Sequence, residues 1–190
     1  MINKDTGILL NSFGIFYTTI AGANWVSSLF GFKYWGFSVP SSDTIFCTNF
    51  YEGNPMPVIQ SNSRVYSSTN KGIVWSQLSY FQSIKFQEGF FINNTTGYFA
   101  GSESYYPTPL KIWKTTNSGV NITEMSTLPT NIYNYRDIWF KKVNTGYVLP
   151  FRTTNQGYNW SEIMPETCLQ VYISIRCLPM EKELIQEKWC

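Results

Sequence analysis

The sequence predicts an all-β protein built from several short antiparallel sheets, and three observations support this prediction. Aromatic residues make up 18% of the chain and charged residues only 14%, whereas an average soluble domain is ~25% charged. Abundant Asn, Ser, Thr and Gly accompany the aromatic and β-branched residues, a mixture that favours strands and turns over helices. Finally, one turn motif recurs along the 190 residues, a length that suffices for one domain with a sizeable core.

The recurring turn motif has the form Thr-x-Asn-x-Gly-x-x-Trp. It is clearest as TTNQGYNW (153–160) and recurs as TTIAGANW (18–25), STNKGIVW (68–75) and TTNSGVNI (115–122). We expect the Asn side chain to bind backbone amides two or three residues ahead, and the Gly to supply a positive φ. The hydroxyl group should brace the turn, and the Trp should wedge between sheets, burying ~150–250 Å². The motif residues are Thr18, Gly22, Trp25, Ser68, Asn70, Gly72, Trp75, Thr115, Asn117, Gly119, Thr153, Asn155, Gly157 and Trp160.

A second motif precedes each copy, which makes a chance repeat improbable. It occurs as INKDTGILL (2–10), FINNTTGYFA (91–100) and FKKVNTGYVL (140–149), with KYWGFSV (33–39) as a degenerate version. Successive motif glycines lie 50, 47 and 38 residues apart. A unit of this length forms a small sheet that cannot bury both faces alone, so stacking around an axis predicts a β-propeller.

The repeats predict four approximate blades, at 1–30, 31–80, 81–130 and 131–163. The second blade carries a long insertion between Gly36 and Ser68, and the fourth is short, with a turn expected at Pro150. Residues 164–190 leave the pattern and form an atypical tail, expected to be irregular or a short helix. Trp113 and Trp139 lie in apolar strands, where packing is the expected role.

The turn motif resembles the Asp-box, or bacterial neuraminidase repeat, with Asn in place of Asp. Together with the preceding NTTGY-type motif, residues 2–163 resemble propeller repeats of the photosystem II stability and assembly factor type. The resemblance implies rim hairpins with a structural role, and about seven blades in a complete ring. It therefore implies an incomplete or open arc, from an exported or envelope-associated protein, although the N-terminus has no signal-peptide pattern.

The composition excludes several functions. The chain contains no His, which excludes Ser-His-Asp and Cys-His sites. Its four Cys lack CxxC spacing, so neither a metal site nor another cofactor site is predicted. A net charge of +2 gives no footprint for nucleic acid, and no apolar stretch reaches the ~18 residues of a membrane span. No catalytic residue is therefore assigned.

The resemblance to Asp-box proteins includes enzymes, and these define the alternative. Sialidases would imply three arginines, a Tyr–Glu pair and an Asp, but only Arg64, Arg136, Arg152 and Arg176 are present. Other Asp-box hydrolases use two acidic residues, and no pairing signal marks one here. The favoured function is a non-catalytic platform for protein binding or assembly, and a fragment of a carbohydrate-active hydrolase remains the alternative.

One loop is a candidate contact surface. Tyr105 and Tyr106 lie in GSESYYPTP, between polar residues and prolines, so they are either an exposed contact patch or a loop that packs its own aromatics. The expected partner is a protein, with carbohydrate as the alternative. Because an open arc leaves blade faces and edges uncovered, we expect the isolated chain to be aggregation-prone unless it dimerises.

Overall fold

The computed structural model describes residues 2–11, 13–30, 34–53, 60–103, 109–128, 137–148 and 150–163. In these ranges the chain forms fifteen strands and no helix, arranged in four separate antiparallel sheets. The predicted all-β fold of four propeller blades is thus confirmed. The tail at 164–190 and the contact loop with Tyr105 and Tyr106 lie outside the described residues.

Each sheet is a meander in which consecutive strands are neighbours. Sheet 1 contains β1 (Gly7–Asn11), β2 (Gly14–Thr18) and β3 (Val26–Phe30). Sheet 2 contains β4 (Tyr34–Ser38), β5 (Ile45–Gly53), β6 (Gln60–Ser68) and β7 (Ser76–Phe81). Sheet 3 contains β8 (Ile84–Phe91), β9 (Gly97–Glu103), β10 (Lys111–Thr115) and β11 (Thr123–Thr127). Sheet 4 contains β12 (Trp139–Lys142), β13 (Thr145–Val148), β14 (Phe151–Thr153) and β15 (Ser161–Glu162).

Sheet 2 differs from its expected layout in two ways. KYWGFSV forms the first strand of the sheet, and the turn equivalent to the second motif is Asp43-Thr44-Ile45. The Asp43 carbonyl accepts a hydrogen bond from the Lys71 amide, just as the Asp5 carbonyl in sheet 1 accepts one from the Ala21 amide. The predicted insertion belongs largely to the sheet, since β5 and β6 pair from Ile45↔Ser68 to Gly53↔Gln60. Sheet 4 is short as expected, and Pro150 lies in the turn between β13 and β14.

The hydrophobic core lies between sheets, in three clusters that join consecutive sheets. Phe46 of sheet 2 stacks on Phe91 of sheet 3 at 3.8 Å between centroids, and Tyr98 of sheet 3 stacks on Phe140 of sheet 4 at 3.7 Å. Among the described residues no cluster joins sheet 4 to sheet 1, so the four sheets form an open arc. Each sheet therefore depends on its neighbours for burial of its faces.

Candidate functional site

The three described strands of sheet 1 correspond to the second, third and fourth strands of the other sheets. In this numbering the four glycine turns close the hairpins between the third and fourth strands, at residues 18–25, 68–75, 115–122 and 153–160. In the last of them, Thr153 Oγ1 accepts a hydrogen bond from the Gly157 amide at 2.9 Å and donates one to Asn155 Oδ1 at 2.9 Å. Asn155 Oδ1 also accepts from the Asn159 amide at 2.9 Å. The Asn side chain therefore binds the amide four residues ahead, and not two or three as expected, because this turn is one residue longer than an Asx turn.

The same bonds recur in the turns of sheets 2 and 3. Ser68 Oγ and Thr115 Oγ1 each accept from the turn glycine amide at 2.9 Å, and in sheet 1 Thr18 does so at 3.1 Å. All four turn glycines have φ between +84° and +87°, a region that side chains disfavour. Each hydroxyl-bearing residue is almost fully buried. These side chains satisfy the backbone of their own turns, which is a structural role.

The Trp of the motif joins the turns of sheets 2 and 4 to the preceding sheet, whereas Trp25 of sheet 1 is 37% exposed and Ile122 takes the position in sheet 3. Trp160 Nε1 donates to the Gly157 carbonyl at 3.1 Å and to Ser126 Oγ of sheet 3 at 3.0 Å. Trp75 Nε1 makes the equivalent bonds to Gly72 and to Ser28 of sheet 1. The ring packs at the edge of the core between sheets. Its indole N–H therefore anchors the wedge that the sequence predicted.

Serine residues on the fourth strands complete these joints, and sequence reasoning missed them. Ser126 Oγ donates to the Gly157 carbonyl at 2.8 Å, and Ser79 Oγ donates to the Gly119 carbonyl at 2.6 Å. The only local signal is a Ser three or four residues after the end of each of the first three motifs. We call the contact of a fourth-strand Ser with the next glycine turn the inter-sheet joint.

An exposed aromatic surface lies at the opposite end of the sheets from the glycine turns. The hairpin of sheet 1 turns after the pair Asn11↔Gly14. The pair at the same distance from the glycine turn in sheet 2 is Asn49↔Arg64. The β5–β6 hairpin extends four residue pairs further, through Gly53↔Gln60. Within the described part of the chain, no strand of sheet 1 reaches the side chains that lie on this face beyond that level.

Tyr51 projects from this part of sheet 2, while Arg64 and its strand partner Tyr80 lie beside it at the level where the sheet 1 hairpin turns. We call these three side chains the shelf. Tyr51 is 50% exposed and Tyr80 is 48% exposed. The guanidinium carbon of Arg64 lies 5.2 Å from the centroid of the Tyr80 ring, a cation–π contact. Phe13, which is 73% exposed, occupies the tip of the sheet 1 hairpin, where Asn11 Oδ1 binds the Phe13 and Gly14 amides.

Buried polar side chains lie below the shelf, between sheets 1 and 2. Tyr34, Cys47, Asn49 and Tyr66 are each at most 7% exposed. Burial raises the pKa of the Tyr34 and Tyr66 phenols and of the Cys47 thiol, so these groups stay neutral at physiological pH. The Asn49 amide is near enough to lower the Tyr66 pKa, but neither amide atom has a well-formed hydrogen bond among the described residues.

Most of the other sequence candidates do not converge on one site. Arg64 and Arg152 lie in β6 and β14, on sheets separated by a third, and Arg136 and Arg176 lie outside the described residues. Trp113 is 4% exposed, which confirms packing, but Trp139 is 42% exposed. Trp139 lies on the outer face of sheet 4, where no described sheet covers it.

The structure does bring together one acidic pair that the sequence did not reveal. Lys111 Nζ binds Glu103 at 2.6 Å and Glu124 at 3.0 Å, because β10 lies between β9 and β11. These bonds raise the pKa of Lys111. Within the described ranges, no three His, Cys, Asp or Glu side chains gather in a metal-binding group, and no helix could span a membrane.

Comparisons with solved structures agree with the fold. The Niastella koreensis GH74 enzyme matches at 15% identity with a TM-score of 0.53, over 84% of this chain and 28% of its own length. The GH74 xyloglucanase from Xanthomonas campestris matches at 11% identity with a TM-score of 0.50, over 83% and 28%. YCF48 bound to a D1 peptide matches at 14% identity with a TM-score of 0.47, over 66% and 37%. No family model matches the sequence, and no curated protein does.

The two GH74 enzymes are β-propeller proteins, and their likeness to this chain lies in the fold alone. The class defined by the fold is therefore the β-propeller repeat proteins. The chain spans only about a third of the length of the neighbours it matches, so what the whole propellers do does not carry over to it directly.

Proposed function

We propose that this chain is a non-catalytic propeller segment that binds another protein through the shelf. The observation that carries the proposal is the exposure of Tyr51 and Tyr80 on either side of Arg64. Tyr and Arg are enriched in protein interfaces, where their large amphipathic side chains supply most of the binding energy. The three side chains lie on the paired strands β5, β6 and β7, so little conformational entropy is lost on binding.

The glycine turns support a structural interpretation of the repeats. Their hydrogen bonds and positive φ values are the features expected of Asp-box hairpins, and we infer that the four turns belong to that type. Because their hydroxyl groups are buried and bind only their own turn, no motif residue is left to act on a substrate. The shelf at the opposite end of the sheets is therefore the surface to which we assign the binding role.

Glycoside hydrolysis is the alternative, and the acidic pair is the feature that bears on it. Glycoside hydrolysis requires two carboxyl groups ~5–9.5 Å apart, one on each side of the glycosidic bond. Glu103 and Glu124 lie close enough, but Lys111 occupies the space between them, where the bond would have to lie. On the described first strands, which line the axis of a propeller, Glu88 is the only acidic residue.

A peptide-display experiment tests the proposal on the full chain. A random peptide library is selected against the purified protein, and the strongest peptide is labelled for fluorescence polarisation. Tyr51→Ala and Tyr80→Ala should each weaken its Kd by about tenfold, as interface anchors do. Tyr158→Ala is the matched control, since Tyr158 is 59% exposed but lies in the glycine turn of sheet 4, and its Kd should equal that of the wild type.

Two results would contradict the proposal. The first is a selected peptide whose affinity is indifferent to both shelf substitutions. The second is release of reducing sugar from xyloglucan by the purified chain, abolished in Glu103→Gln or Glu124→Gln, which would establish the hydrolase alternative.

A further inference from the structure

Each sheet of the arc has two faces with different side chains. The receiving face looks toward the next sheet and carries Phe46 in sheet 2 and Tyr98 in sheet 3. Each of these rings is covered by a Phe from the first strand of the following sheet, Phe91 or Phe140. The inserting face looks toward the preceding sheet. At one position of the second strand it carries side chains that are at most 1% exposed, namely Cys47, Phe99 and Val148.

The receiving face of sheet 4 has the side chains of a covered face but no cover among the described residues. The pairing Trp139↔Tyr147 of sheet 4 corresponds to Phe90↔Tyr98 of sheet 3. Tyr98 is 0% exposed beneath Phe140, whereas its counterpart Tyr147 is only partly buried. Likewise Phe90 is partly buried, whereas its counterpart Trp139 is 42% exposed. The Trp139 and Tyr147 rings stack on each other at 5.4 Å between centroids, forming a flat aromatic platform at the end of the arc.

The inserting face of sheet 1 is uncovered at the other end of the arc. Leu9 occupies the position of Cys47, Phe99 and Val148 but is 45% exposed. Trp25 is 37% exposed, and its indole N–H has no acceptor among the described residues. In sheets 2 and 4 the equivalent N–H binds a serine of the preceding sheet. Sheet 1 therefore presents the half of an inter-sheet contact that a preceding sheet would complete.

We propose that a second copy of this chain docks head to tail, with the receiving face of sheet 4 of one copy covering the inserting face of sheet 1 of the other. The contact would continue the one that already joins sheets 1 to 2, 2 to 3 and 3 to 4, so both of its surfaces are built by the repeat. Such a contact is heterologous, because it uses two different faces of the chain. It therefore joins the copies into a closed ring or a longer head-to-tail series.

Sedimentation velocity and light scattering of the full chain test this docking. The wild type should have a mass that is a multiple of 22.0 kDa and that falls toward the monomer on dilution. Tyr147→Lys blocks the receiving face and Leu9→Lys blocks the inserting face. Because each head-to-tail contact needs one of each face, either variant alone should be monomeric. Val120→Lys, at a 47% exposed position in a glycine turn, should associate like the wild type.

Mixing the two monomeric variants provides the decisive measurement. One intact inserting face and one intact receiving face remain in the mixture, so it should form a species of twice the chain mass and nothing larger. This recovery also shows that both variants are folded. The proposal is overturned if the wild type is monomeric at every concentration, if the mixture stays monomeric, or if only one of the two substitutions abolishes association, since that would indicate a symmetric contact of like faces.

Discussion

The hydroxyl group of Thr115 should contribute measurably to stability, and replacing Thr115 by Val isolates it. Valine keeps the shape of the side chain but removes the oxygen that accepts from the Gly119 amide at 2.9 Å and donates to Asn117 Oδ1 at 3.0 Å. Thr115 is 1% exposed, so water cannot replace the lost acceptor. Leaving a buried backbone N–H without a partner costs about 1–3 kcal/mol.

Urea unfolding, followed by the fluorescence of the seven Trp residues, measures this cost. At an unchanged m-value the midpoint should fall by an amount equal to the lost free energy divided by m. Thr115→Ser should retain most of the stability, since Ser68 performs the same role in sheet 2. Thr116→Val, at the exposed adjacent position, should lie within about 0.5 kcal/mol of the wild type. The reasoning is refuted if Thr115→Val and Thr116→Val have the same unfolding free energy.

Three further predictions use the same measurements of stability. Gly119→Ala should destabilise the fold more than Gly157→Ala. Both glycines have φ near +86°, but a Cβ at 119 would lie 2.9 Å from Val65, whereas the nearest atom to a Cβ at 157 is 3.6 Å away. If urea unfolding shows equal losses, the contact with Val65 has no effect and only the φ penalty of about 1–2 kcal/mol acts. Ser126→Ala should lower the free energy of unfolding by about 1–2 kcal/mol, because it removes both hydrogen bonds of the inter-sheet joint. The control Thr127→Ala, at an exposed position, should have no effect. Identical urea midpoints for the two variants would show that the joint does not stabilise the fold. Burial raises the pKa of Tyr98 to about 12, with a smaller contribution from Tyr158; the unfolded state then loses its proton first, so stability present below pH 10 should decline between pH 10 and 12. Tyr98→Phe should make that decline shallower without abolishing it, because the raised pKa values of Tyr34 and Tyr66 act in the same direction. An unchanged slope in pH-dependent unfolding would exclude Tyr98 as a source.

The local features of the fold could be predicted from the sequence because each depends on a few neighbouring residues. The Thr-x-Asn-x-Gly pattern specifies its turn through bonds that span at most four residues. In contrast, the joint made by Ser126 and Trp160 links residues 34 apart, and a single Ser after a motif has no distinctive pattern. The Asp43 turn was placed wrongly for a related reason, since Ile45 stands where the other repeats have Gly.

The candidate site was less predictable than the fold, since it arises from a difference between neighbours. Tyr51 is exposed because the hairpin of sheet 1 ends at Asn11–Gly14 while that of sheet 2 continues, and Tyr80 lies at the level of that end. The sequence shows the extra residues between Gly36 and Ser68 but not that they extend paired strands. The pairing of Glu103 with Glu124 around Lys111 likewise depends on the register of three strands.

The two motifs recur together because they are bonded to each other in every sheet. The residue before each turn glycine has a positive φ, which directs its amide to a carbonyl in the turn before the second strand. The donors are Ala21, Lys71, Ser118 and Gln156, and the acceptors are Asp5, Asp43, Thr95 and Asn144, at 2.8–3.2 Å. Because both groups belong to the backbone, these bonds do not depend on a particular side chain, and the four donors are indeed different residue types. The glycine and the hydroxyl residue cannot vary in this way, since one sets φ and the other binds through its side chain. This difference explains why the turn motif remains recognisable in all four sheets while the second motif has lost its pattern at Asp43.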